Sequence, residues 1–120
     1  MLSTWKWGVF MRLNQDEPVV HNDVIYISNQ MSTFSPNLGE QTYKTLKQME
    51  IKLDRHHSNK YNVIKVNIYV PNLDYWSSMK DCYQNFFGSA QPNNSIIPTY
   101  DEQAPISFEM VAKKTTYANC

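Results

Sequence analysis

The chain has 120 residues, of which 42% are apolar, and its acidic and basic side chains balance to a formal net charge of zero. This length predicts one domain over residues 1–120. The charge balance argues against a nucleic-acid partner. The sequence also contains no run of about 18 uncharged apolar residues, which a membrane span would need. Two cysteines with no metal-binding spacing and the lack of a signal-peptide pattern lead us to expect a cytoplasmic protein without a metal or cofactor.

The beginning of the chain predicts strands. Along residues 4–13, large apolar groups occur at both odd-numbered and even-numbered positions, which suits a strand that is covered on both faces. A polar loop follows. Residues 19–20 and 24–27 predict two antiparallel strands. Asn22 and Asp23 between them favour a tight hairpin turn, because both residue types tolerate positive φ.

A helix is predicted next, over roughly residues 38–55. Ser35-Pro36 is typical of a helix entry, and Asn37 with Glu40 resembles a capping box. The apolar stripe at helical spacing consists of Tyr43, Leu46, Met49 or Glu50, and Leu53.

In the stretch 62–88, the spacing of the apolar residues changes from a period of 2 to a period of about 3.6, which predicts a strand that leads into a second helix. Pro71 ends the strand because it has no N–H to donate. Asn72 or Asp74 can cap the helix, and Gly88 is suited to end it. The residues predicted to face the core are Ile64, Val66, Ile68 and Val70 on the strand, and Trp76, Met79, Tyr83 and Phe86 on the helix.

Two more strands are expected near the end of the chain, over residues 95–100 and 106–114. Pro98 weakens the first of them or places it at a sheet edge, and residues 101–105 form a turn. The resulting order predicts a mixed sheet with both helices on one face. The other face then lacks a cover, which favours an oligomer.

With these elements laid out, residues 18–113 resemble the YjgF/RidA family of reactive-intermediate deaminases, also labelled endoribonuclease L-PSP. The resemblance lies in VVHNDVIYISNQ (19–30), in the ISFEMVA strand (106–112) and, most specifically, in the stretch 62–88. It implies an α+β, chorismate-mutase-like (bacterial type) βαβαβ fold with a mixed sheet and two helices on one face. It also implies a homotrimer with ligand clefts between subunits.

The chain departs from the family's pattern at the positions that carry chemistry. Asn94, in Pro92-Asn93-Asn94-Ser95, stands where the deaminases have an arginine that binds a substrate carboxylate bidentately. Ser107 occupies the position at which the family has its catalytic-site glutamate, and Glu109 matches a second acidic position of the family. Gln15 falls at the family's N-terminal tyrosine.

Three functions remain open on this basis. The first is a trimer that binds a small molecule, such as a carboxylate or an imine or enamine, between Asn94, Ser95, Ser107 and Gln15 without the usual deaminase activity. The second is an enzyme with altered chemistry, a biosynthetic tailoring step or residual enamine/imine hydrolysis, with Glu109 as acid/base. The third is a structural or regulatory partner protein. Glu109 itself has two open interpretations, a general base or an interface hydrogen-bond acceptor.

Other reactive side chains have structural interpretations beside functional ones. Adjacent His56 and His57 on a helix point about 100° apart, so they complement the helix dipole more readily than they share a metal. His21 beside a turn is expected to be solvated, and Cys82 to be a structural thiol. Trp5 and Trp7 are expected to pack at a strand or trimer contact rather than stack on a ligand.

Overall fold

The computed structural model describes residues 17–31 and 37–115. The predicted strand over residues 4–13, with its two tryptophans, lies outside the described residues, as do Gln15 and Cys120. The described strands and helices are β1 (Val19–His21), β2 (Val24–Gln30), α1 (Leu38–Arg55), β3 (Val63–Val70), α2 (Asp74–Phe87), β4 (Asn93–Pro98) and β5 (Ser107–Lys113).

The strands form one mixed sheet in the order β1-β2-β5-β3-β4. All neighbours are antiparallel except β3 and β4, which run parallel. The predicted mixed sheet is therefore confirmed. The strand that contains Pro98 lies at an edge, as expected, and this proline is its last residue, where a missing N–H interrupts little of the ladder.

Both helices pack on the same face of the sheet. Their buried side chains join those of β2, β3 and β5 in one hydrophobic cluster. The alternate residues of each strand point to the opposite face, called the open face here because none of the described segments covers it. Central members of the cluster are Ile25, Leu46, Met49, Leu53, Val66, Ile68, Met79, Phe87, Phe108 and Met110.

Two predicted core positions are wrong, each for a local reason. A register irregularity between Val63 and Lys65 breaks the alternation of β3, so that Val63 is buried and Ile64 is 41% exposed. On α1, Tyr43 is 44% exposed. Its place toward the core is taken by Thr42 and Thr45, which can be buried because their hydroxyls donate to backbone carbonyls one turn earlier.

The hairpin turn, the start of α1 and the end of α2 form at the predicted residues. Asn22 and Asp23 have φ of 51° and 66°, the two positive values that a type I′ hairpin turn requires. Asn37 Oδ1 accepts the Glu40 amide at 2.9 Å, which satisfies one of the free N–H groups of the first helical turn. Gly88 ends α2 with a φ of 53°.

The predicted cap of α2, however, is wrong. The N-cap position of α2 is Leu73, whose side chain makes no capping hydrogen bond, and Asn72 Oδ1 accepts the Asp74 amide from one position earlier.

Candidate functional site

The strand register separates the predicted ligand-binding residues onto two faces of the sheet. Asn94 lies opposite Val66, and Ser95 lies opposite Asn67. Because Val66 is part of the core, Asn94 belongs to the helix-covered side, although it is exposed at the edge strand. Ser95 lies on the open side, which it shares with Ser107 and Glu109.

Glu109 lies in the middle of the open face, on the central strand β5. Its strand neighbours are Ser28 and Asn67. The Tyr69 hydroxyl donates to Glu109 Oε1 at 2.8 Å, and Asn67 Nδ2 donates to the same oxygen at 3.4 Å. The hydrogen bond to Glu109, helped by partial burial, raises the pKa of Tyr69, so this hydroxyl remains a donor at neutral pH. Glu109 is thus an exposed carboxylate held in one orientation by its neighbours.

Ser95 and Ser107 have different roles on this face. The Ser95 hydroxyl accepts a hydrogen bond from Lys65 Nζ at 2.7 Å. Ser107 is the first residue of β5, where it pairs with Gln30 and Tyr69. Ser107 lies at the strand end on the same face as Glu109, as the alternation along this strand predicts.

A shallow hollow of about 330 Å³ opens beside Glu109 on the open face. Its lining includes apolar groups of Val19, Tyr26 and Val111, together with the polar side chains of Asn67 and Glu109. This mixture of apolar walls and a few oriented polar groups suits either a small ligand or the surface of another protein subunit.

Asn94 is accompanied by Tyr83 of α2, which the sequence analysis assigned only to the core. Tyr83 is 2% exposed, and its buried hydroxyl receives no hydrogen bond of regular geometry. Burial raises the pKa of Tyr83 to about 12, and the nearby side chain of Asn94 opposes that rise. No local sequence signal links these two residues, because the contact depends on how α2 lies over β4.

The histidines have structural surroundings. His56 Nδ1 lies 2.9 Å from the Lys52 carbonyl oxygen at the C-terminal end of α1, which agrees with the helix-end interpretation. His57 adopts a φ of 64° just beyond the helix, and the His21 ring contacts the side chain of Asn22. Among residues 17–31 and 37–115, no three histidine, cysteine or acidic side chains are placed to hold a metal ion.

The fold and site together define an α+β domain with one helix-covered face and one polar, open sheet face. The sequence model of the family described as endoribonuclease L-PSP matches residues 12–113. The chain therefore belongs to this family, and the resemblance seen in the sequence is confirmed.

Several solved structures share the fold. A member of the YjgF/YER057c/UK114 family from Mycobacterium tuberculosis is 18% identical, with a TM-score of 0.72 over 88% of this chain and 92% of its own. A YjgF family member from Neisseria meningitidis is 19% identical, with a TM-score of 0.73 over 84% and 87% of the two chains. Yeast Mmf1 is 16% identical, with a TM-score of 0.74 over 82% and 86%. At these identities the likeness establishes the fold alone.

A search among curated proteins found no match. Within the described ranges, neither helix combines the length and apolar character needed to cross a membrane.

Proposed function

We propose that this protein is a homotrimer that binds a small molecule in clefts between its subunits and lacks the usual imine/enamine deaminase activity. The observation that carries the proposal is the pair of substitutions at the family's chemical positions. Asn94 replaces the arginine and Ser107 replaces the glutamate, on a scaffold that otherwise keeps the family's fold.

The trimer is supported by the character of the open sheet face. Tyr26 and Val19 are exposed there, and Val111 is only half-buried. A face with such apolar groups around a shallow hollow gains stability when it is covered. Closed rotational symmetry lets identical copies cover one another's open faces.

The loss of deaminase activity follows from what the two substituted side chains can do. An arginine offers two parallel charge-assisted hydrogen bonds to a carboxylate, whereas an asparagine amide offers neutral ones of about half the strength. A serine hydroxyl does not match a glutamate as an acceptor for the proton of an attacking water. Substrate binding and water activation are therefore both weakened.

A gain-of-function assay tests this proposal. The probe is 2-aminoacrylate, an enamine that tautomerises to an imine; water then adds to the imine carbon, ammonia leaves, and pyruvate is measured. The natural chain is expected to leave the rate at the uncatalysed level, and the double variant Asn94→Arg/Ser107→Glu is expected to raise it at least tenfold. The controls are the single variants Asn94→Arg and Ser107→Glu, each of which restores only one of the two groups.

Turnover by the natural chain at ordinary enzyme rates would reject the proposal. A double variant no faster than Ser107→Glu alone would show that position 94 does not face the reacting molecule.

The second candidate function is an enzyme that uses Glu109 as acid or base, and the 2.8 Å hydrogen bond from Tyr69 favours it, since this contact holds the carboxylate in one orientation. If the natural chain shows slow turnover of 2-aminoacrylate, Glu109→Gln should lower it by about 100-fold or more. A rate unchanged by Glu109→Gln, with the oligomer intact, would exclude that role.

A further inference from the structure

We propose that the hollow beside Glu109 on the open face binds a small organic ammonium ion with an apolar body, whose nitrogen contacts the Glu109 carboxylate. This inference goes beyond the function proposed above. The hollow extends from Glu109 toward Val111 rather than toward Ser107, and Asn94 is not part of its lining. Three observations carry the inference: the sign of the charges in the lining, the way in which the carboxylate is held and the position of the apolar walls.

The charged side chains that line the hollow are acidic. They are Glu17 and Glu109, and the described part of the lining contains no lysine, arginine or histidine. An anion in this hollow would meet like charge, whereas a cation would be attracted. Because the rest of the lining is apolar or neutral, the hollow favours a ligand that combines positive charge with apolar surface.

The neighbours of Glu109 orient its carboxylate without neutralising it. The Tyr69 hydroxyl and the Asn67 amide both donate to Oε1, at 2.8 and 3.4 Å, and neither donor carries a charge. Among the residues that the structure describes, the ion pairs lie on α1 and do not involve Glu109. Neither hydrogen bond uses Oε2, which can accept a charge-assisted hydrogen bond from an ammonium group, and such a bond is stronger than a neutral one.

The lysines of the open face are placed away from this carboxylate. Lys65 Nζ donates to Ser95 Oγ at 2.7 Å, toward β4, and β4 and β5 lie on opposite sides of β3. Lys113 lies four residues from Glu109 along β5, which separates their Cα atoms by about 13 Å. Neither ammonium group therefore supplies the charge that complements Glu109, and a cation from outside the domain can do so.

The apolar walls begin one step along the strand from the carboxylate. Val111 follows Glu109 on the same face of β5, at a spacing of about 6.6 Å. Val111 pairs with Tyr26, and Tyr26 pairs with Val19 at the sheet edge. The side chains of Tyr26 and Val19 are exposed, so a ligand that covers them removes apolar surface from water. The ring of Tyr26 can also attract an ammonium group through its π face.

These positions define the size and chemistry of the ligand. The volume of about 330 Å³ is near the lower end of the range of ligand pockets, ~300–1,000 Å³. The spacing from carboxylate to wall suits an amine whose nitrogen is joined by a short carbon link to an aromatic or branched aliphatic group. A metal ion fits less well, because no three histidine, cysteine or acidic side chains of the described residues are placed to hold one.

The test is an NMR titration of the ¹⁵N-labelled full chain at neutral pH with three probes. Benzylamine carries both a positive charge and an apolar ring. Benzyl alcohol has nearly the same shape without the charge, and methylamine has the charge without the ring. Benzylamine is expected to bind at least tenfold more tightly than either of the others, and to shift the resonances of Asn67 and Val111.

A pair of glutamate variants locates the site. Glu109→Gln keeps the size of the side chain and removes its charge, so it should reduce the affinity for benzylamine to that for benzyl alcohol. The matched control is Glu102→Gln, which should leave the affinity unchanged. Glu102 also accepts hydrogen bonds from a tyrosine and an asparagine, Tyr75 at 2.9 Å and Asn72 at 2.7 Å, but it is not part of the lining of the hollow.

Equal affinities of the natural chain for benzylamine and benzyl alcohol would overturn the role of charge, and this comparison does not depend on the folding of any variant. Benzylamine binding that survives Glu109→Gln, or that is lost equally in Glu102→Gln, would place the site elsewhere. If none of the three probes binds, the hollow is not a ligand site and the proposal fails.

Discussion

Tyr83 carries a polar group into an apolar part of the core. Its ring packs between Trp76 and Phe87. This is the buried side of the helix that the 3.6-residue spacing of apolar residues predicts. Its hydroxyl, however, has no hydrogen bond of regular geometry, and such a buried group usually costs stability. A phenylalanine at this position would keep the ring contacts without burying an unpaired hydroxyl.

Replacing Tyr83 by phenylalanine should leave the free energy of unfolding at pH 8 unchanged or raise it by about 1 kcal/mol, because an incompletely paired hydroxyl is removed from the core. Chemical denaturation measures this difference. The exposed Tyr61→Phe variant is the control, with no expected change. A loss of more than about 1 kcal/mol in Tyr83→Phe would show that the hydroxyl makes a strong bond in the folded state.

The same substitution should change the response to alkali. The pKa of Tyr83 is raised from 10.0 to about 12 in the folded chain, so the folded state holds this proton more tightly than the unfolded state. The ionisation of Tyr83 therefore leaves the free energy of unfolding unaffected below about pH 10 and lowers it as the pH rises from there through about 12. Unfolding free energies between pH 9 and 12 should fall less steeply in Tyr83→Phe; identical slopes would contradict this assignment.

The two helices approach closely where Gly39 of α1 meets Cys82 of α2. A Cβ added to Gly39 would lie 2.9 Å from the Cys82 sulfur and 3.4 Å from the Ser78 carbonyl oxygen. A methyl group at this position would therefore require the Cys82 sulfur to move. The glycine therefore serves interhelical packing here, and Cys82 is a structural neighbour of it, as the sequence suggested.

Gly39→Ala should lower the free energy of unfolding by about 1–3 kcal/mol through overpacking, despite the higher helix propensity of alanine. In a Cys82→Ala background the same change should cost much less, because the sulfur that it would meet is absent. Thermal or denaturant unfolding of the two single variants and the double variant gives the coupling energy. Strictly additive effects would show that the two positions do not touch.

Within residues 17–31 and 37–115, the sheet has one face covered by helices and one face that no described segment covers. The open face combines the oriented Glu109 with apolar groups of Tyr26 and Val111 beside the hollow. Among the described residues, this face exposes apolar groups near the centre of the sheet. Association through this face is the arrangement that we propose for the trimer.

Val111→Lys should convert the trimer to single chains, because a lysine at the centre of the covered face would bury a charge without a partner. Light scattering should then fall from three times the 14.1 kDa of one chain to that mass. Gln84→Lys on the exposed side of α2 is the control and should remain trimeric. A trimeric Val111→Lys variant would place the subunit contact elsewhere.

Much of the fold could be predicted because its signals are local. The turn at Asn22 and Asp23, the start of α1 after Asn37 and the end of α2 at Gly88 each depend on residues within a few positions of one another. The spacing of apolar residues identified the strands and helices, and the family resemblance predicted how they are arranged in the fold. At the candidate site, the face shared by Ser107 and Glu109 followed from simple alternation along one strand.

The remaining features depend on contacts between segments that are distant along the chain. The register irregularity that exposes Ile64 arises from the pairing of β3 with β5. The Glu109 contact with Tyr69 spans 40 residues, and the nearness of Asn94 to Tyr83 requires α2 to lie over β4. Local residue preferences set turns, caps and periods, whereas strand register and helix placement decide which polar groups meet, because both are settled by packing across the whole domain.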